Sequence, residues 1–146
     1  MAISSSGPDD HIAQLVQLTE RLTSLIAEET RAFEALKPHE AAPFVEETSK
    51  LANLYRLESH RLKENPAVVE GASLKARLAL KQATEAFEAV LARHGRAIEA
   101  AKTVTEGLVK AIAEEIDSKR PKGGGYGPGA KKAATTAAPI ALNRKA

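Results

Sequence analysis

Four histidines, His11, His39, His60 and His94, are the side chains of this 146-residue chain best suited to proton transfer or metal binding near neutral pH. They fall on separate segments. None has a second histidine or a carboxylate at metal-ligand spacing, and neither an HExxH helix nor an EF-hand loop occurs. The chain has no cysteine, which excludes a thiolate nucleophile, a Cys-ligated metal and a disulfide framework. Its 19 Asp and Glu are spread over solvated helix positions, a poor arrangement for a carboxylate pair doing acid–base work. Gly123-Gly124-Gly125 lacks the preceding strand and the Lys-Ser/Thr ending of a phosphate-binding loop. The expectation is a protein that is not an enzyme and holds no metal or cofactor. His94 stands out because it lies on an apolar stripe between Phe87 and Ala101. It reads as a half-buried histidine that sets packing register or bonds a neighbouring helix; the alternative is a pH sensor or ligand.

The elements carrying these residues are helical. Aromatics are 3% of the chain and the apolar fraction is largely alanine and leucine, which favours helix over sheet. The stretch from Leu74 to Ile116 has no proline. Leu80, Ala83, Phe87, Val90, Leu91, Ile98, Ala101, Val104, Leu108, Ile112 and Ile116 recur in it at steps near three and four, the pattern of an amphipathic helix with a coiled-coil-like seam. Roughly forty residues would span about 60 Å, more than a compact domain of this size needs.

Two shorter helices precede it. The first is expected over 10–36, capped by Asp9 or Asp10, with the stripe Ile12, Leu15, Leu18, Leu22, Leu25, Ile26, Phe33, Leu36. The second is expected over 39–64, with Pro43 in its first turn and a core face of Phe44, Thr48, Leu51, Leu54, Tyr55 and Leu62, from which Leu57 is absent. Asn65-Pro66 closes it. The third is expected over 68–118, with Ser73 an alternative N-cap. The fold class is all-α: a three-helix antiparallel bundle or coiled coil with a long C-terminal helix. The domain covers 9–117, between a disordered lead (1–8) and a disordered basic tail (118–146).

Charge separates body from tail. Seven of the 21 Lys and Arg lie after Asp117 and none of the 19 acids do, so residues 1–117 hold 14 bases against 19 acids, a balance of −5. Seven charges with one aromatic is a modest density, so nucleic acid is not the expected partner. Tyr126, alone among the tail glycines, suits a short docking motif. No run of about 18 apolar residues exists, so no membrane span is expected. The first ten residues lack the basic and apolar regions of a signal peptide.

The succession "LVQLTERLTSLIAEETRAFEALK", "ETSKLANLYRLESHRL", "FEAVLARHGRAIEAAKTVTEGLVKAIAEEI" and "GGGYGPG" resembles the FlgN family of flagellar export chaperones, FlbY-type members included. The resemblance covers most of the chain. It implies a cytoplasmic chaperone that binds the C-terminal helical region of hook–filament junction subunits (FlgK- and FlgL-like). Such a chaperone prevents premature assembly and delivers the subunit to the type III export gate, where it meets the FlhA cytoplasmic domain. It places cargo binding on the C-terminal half of the third helix, at Ile98, Val104, Leu108, Val109, Ile112 and Ile116, and gate docking at Tyr126. The competing readings from the residues are a phasin-like granule-coating protein and a coiled-coil adaptor without cargo.

Overall fold

The computed structural model describes residues 3–120, and all regular structure among them is helical. The chain divides into two units, residues 1–105 and residues 106–146, with the boundary inside the last helix. The helices are α1 (Pro8–Glu34), α2 (Ala42–Glu64), the single turn α3 (Ala67–Glu70) and α4 (Leu74–Lys119). A 3-10 turn, Pro38–Ala41, joins α1 to α2.

Local signals explain the ends. Pro8 opens α1, where its missing N–H does no harm, and Asp9 and Asp10 occupy the first turn at the positive end of the dipole. Neither aspartate caps its own helix as expected. Asp9 accepts instead from the Ser73 amide at 2.6 Å, and Asp10 from the Ser6 amide at 3.0 Å. At the other end, Leu36 N–H donates to the Phe33 carbonyl and Lys37 N–H to the Ala32 carbonyl. This is a Schellman stop, and it requires the left-handed conformation seen at Leu36, φ 59°. Leu36 is therefore turned out to solvent and is not part of the α1 stripe, and the helix ends at Glu34, two residues before the expected 36. Pro43 falls in the first turn of α2 and Asn65 follows its last residue. The third helix does not begin at 68. Residues 67–70 form a separate turn, and Ser73 caps α4 by accepting from the Ala76 amide at 3.2 Å.

In the first unit α2 runs antiparallel to α1 and α4. Across α1 and α2, His11 lies near Glu58 and Arg21 near Glu47. Across α1 and α4, Asp9 meets Ser73, Thr30 meets His94, and Glu34 meets Arg93. Ile12, Leu15, Leu18, Leu22, Leu25 and Ile26 are buried along α1, as the periodicity requires. Leu22, Ile26 and Phe87 form the central cluster, flanked by Leu51, Tyr55 and Val90. The Tyr55 and Phe87 rings meet edge to face at 5.0 Å. Thr23, Ala27, Ala79, Ala83 and Ala86 line a groove between α1 and α4.

Polar groups also enter this unit. Glu58 is fully buried; its Oε1 accepts from the Ile3 amide at 3.1 Å and from Arg61 at 3.0 Å, and its Oε2 lies 3.4 Å from His11 Nε2. Residues 3–6, expected as a disordered lead, thus bond to α2 and α1. Gln14 also donates to the Ser4 carbonyl.

Thr30 donates its single hydroxyl proton to the Ile26 carbonyl at 2.7 Å, so it accepts from His94 Nδ1 at 2.9 Å, which makes that nitrogen the protonated one. Phe33 meets the His94 ring edge-on. His94 is the half-buried, helix-bridging histidine that its place on the stripe suggested.

The carboxylates respond to pH in two senses. Asp9 is held below its ordinary range by the Ser73 amide, Asp10 by the Ser6 amide, Glu34 by Arg93 and Glu47 by Arg21. Their stabilisation is complete above the ordinary carboxylate range and is lost as pH falls through their lowered folded values. Glu29 has the opposite sign. Burial pushes its carboxyl up, against the opposing influences of His94 and Thr48. Its ionisation therefore costs stability as pH rises through the raised folded value. Glu29→Gln is expected to raise the melting temperature at about pH 7 and to lose that advantage below about pH 4. Thermal melts at the two pH values check this; a variant that melts lower at neutral pH contradicts it.

Candidate partner-binding surface

From Ala83 onward the side of α4 that meets α1 and α2 follows the steps Ala83, Phe87, Val90, His94, Ala97, Ala101, alternating four and three. Each of these is buried or half-buried. Ala97 is buried while its neighbour Ile98 is 40% exposed, so the small residue occupies the seam and Ile98 lies beside it. Leu91 is likewise exposed. The expected stripe thus included two large residues that the seam passes by. Ile98 remains available to a partner, as does Val104 at the end of the first unit.

In the second unit, Leu108, Ile112 and Ile116 follow at i, i+4 spacing with Val109 alongside, on one helical face. Their exposure reaches 59% at Leu108. An isolated exposed aliphatic needs no explanation, but several adjoining ones mark an interaction surface. The helix here is supported by its own side chains. Lys110 lies 4.0 Å from Glu114 and Lys119 2.7 Å from Glu115, pairs worth a few tenths of a kcal/mol each, about 0.2–0.5. A Cβ added at Gly95 or Gly107 would meet nothing within 4 Å, so neither glycine is there to admit a neighbour.

Among the described residues, no group of three or more His, Cys, Asp or Glu could hold a metal ion, and no helix is long and apolar enough to cross a membrane. Of the expected tail, residues 118 and 119 belong to α4, whereas Tyr126, with the rest of the tail from residue 121 onward, lies outside the described residues.

The polar residue that the sequence reading missed is Glu58. Its signal was present: it stands three residues after Tyr55 and seven after Leu51, on the core face of α2. A glutamate at such a position is buried with partners: Arg61 one turn along the same helix, and His11 and Ile3 from distant segments.

No family model matches the chain, and no solved structure matches it. It is 55% identical over 149 aligned residues to the flagellar basal-body protein FlbY of Caulobacter vibrioides, an alignment that covers the whole of both proteins. Identity at that level along the full length of the helical body and its tail leaves one assignment: the chain belongs to the FlbY family of flagellar proteins.

Proposed function

We propose that this protein is a flagellar export chaperone acting in the manner of the FlgN family, in the cytoplasm and without enzymatic activity. Its cargo would be the C-terminal helical region of a hook–filament junction subunit, FlgK- or FlgL-like. The observation that carries the reading is the run of exposed aliphatics Leu108, Val109, Ile112 and Ile116 on one face of α4. An amphipathic helix laid on such a face buries its own apolar side at i, i+3, i+4 and i+7 anchors. A cargo segment that folds as it binds spends part of the interaction on ordering, which keeps affinity moderate and release possible. Ile98 and Val104, exposed in the first unit, would also contact cargo. Tyr126 would dock on the FlhA cytoplasmic domain. The flagellar relationship supports the class of partner.

The test is calorimetry of the full chain with purified FlgK- and FlgL-like subunits from the same organism. A one-to-one complex in the micromolar range is expected, with a negative heat-capacity change from apolar burial. Failure to bind either subunit, together with co-purification of the chain with assembled basal bodies, would replace the chaperone reading by a structural one.

A further inference from the structure

Within the second unit, residues 106–119 are helical, and the aliphatic face of Leu108, Val109, Ile112 and Ile116 has no cover among the described residues. A helix of about this length is marginal alone in water and gains most of its stability from a packed apolar face. We propose that this face pairs with the same face of a second copy, as an antiparallel helix pair with its twofold axis at Ile112.

The first argument for this occupant is symmetry. Leu108 and Ile116 stand one turn before and one turn after Ile112, each about 6 Å away along the axis. A twofold contact joins a patch to itself, so Leu108 of each copy lies beside Ile116 of the other, and Ile112 adjoins Ile112. Close approach is also possible at that level. Ala111 and Ala113 flank Ile112 at about 100° on either side, so only methyl groups border the axis, and the helices can come to the usual 8–10 Å.

Charge permits the pairing and sets its direction. The four aliphatics and the two alanines carry none. Lys110 and Glu114 lie near one another on the far side of the helix from Ile112, and Glu115 at the edge is matched by Lys119 at 2.7 Å. A parallel pair would bring together the negative dipole ends of both helices and both copies of Lys119. An antiparallel pair sets the two Lys119 about 21 Å apart along the axis, beyond the screening length of about 8 Å.

Four aliphatics a side fall well short of the roughly 20–30 residues a side of a stable complex, so the pair is a weak one, with a dissociation constant between about 1 µM and 1 mM. The inference concerns the chain alone and does not rest on the chaperone reading. Where both hold, cargo displaces the second copy, and the apparent cargo affinity falls as the chain is concentrated.

The chain has no cysteine, so single cysteines report the pairing on the full-length protein. Near the axis, Ile112→Cys comes within the Cα separation that a disulfide needs, about 4.4–6.8 Å, and should cross-link severalfold faster than Lys110→Cys on the far side. In a mixture, Leu108→Cys and Ile116→Cys chains should cross-link to each other faster than either does to itself. Sedimentation equilibrium of the unmodified chain should show a dimer that Ile112→Glu removes, with the melting temperature of the dilute chain unchanged. A chain that stays monomeric at about 1 mM, or a dimer that Ile112→Glu leaves intact, overturns the proposal. So does faster cross-linking of Leu108→Cys to itself, which marks a parallel pair. The cross-links decide the matter if Ile112→Glu fails to fold. No flagellar subunit is present in these experiments, so their failure leaves the calorimetry of the cargo complex unaffected.

Discussion

Phe87→Ala is expected to destabilise the first unit by about 3–5 kcal/mol, a large part of the 5–15 kcal/mol typical of a folded domain. Phe87 is the only aromatic at the centre of the cluster it shares with Leu22 and Ile26, and its ring meets Tyr55 from the second helix. Its removal opens a cavity where all three long helices of that unit meet. The neighbours can close it only in part, because Leu22 and Ile26 are fixed along α1 and Ala83 is too small to reach in. A domain of about 100 residues loses roughly 4 °C or more for each kcal/mol, so the melting temperature should fall by at least about 12 °C. Leu57→Ala, at a partly exposed position off the α2 core face, should change it by less than a quarter of that. Thermal or urea unfolding of both variants checks the contrast. Equal losses would mean that the cluster is not the centre of the fold.

The second large effect concerns binding. Leu108→Glu combined with Ile112→Glu places two carboxylates in the middle of the exposed aliphatic face. If a cargo helix packs there, each loses an apolar anchor and faces a charge that must be desolvated. Anchors of this type are worth about 2 kcal/mol or more apiece, so affinity for the junction subunit should fall by at least about a hundredfold. Stability should scarcely move, since substitutions at exposed sites without special features stay within about 0.5 kcal/mol. Retention of cargo binding in a folded double variant would remove this face from the reaction. Loss of folding would show that the face is structurally engaged.

The architecture was legible because most large aliphatics of α1 and α2 obey one period. Ile12 through Ile26 are buried, Leu57 is off the core face, and Pro43 and Pro66 mark helix boundaries as their chemistry dictates. The departures have local causes. Leu36 left its stripe because the chain needed a left-handed residue to stop α1, and no glycine was supplied. Asp9 bonds the start of α4 because a short side chain on the first turn can reach a neighbouring amide as readily as its own. Ile98 lost its seam position to Ala97 because close helix packing rewards a small side chain in the right phase over a large one beside it. Glu58 stands on the core face of α2 with Arg61 one turn along, but its other partners, His11 and Ile3, come from segments far away in sequence. The exposed aliphatics of the candidate surface were legible as apolar residues at helical spacing; that they stay uncovered is a tertiary fact, which periodicity does not encode.

The bond between Thr30 and His94 bears on how the bundle chooses among its own alternatives. Alanines line the groove between α1 and α4, and one alanine fits opposite another about as well in several alignments. Sliding α4 by seven residues preserves the rhythm of the seam and would set Phe87 or Ala101 against Thr30. Either shift strands the imidazole between helices without its acceptor, at a cost of about 1–3 kcal/mol. This pair thus acts, beside the exposed Asp9–Ser73 and Glu34–Arg93 contacts at the surface, as an address in an otherwise repetitive interface, the role that a buried polar residue plays in selecting one coiled-coil alignment over its neighbours.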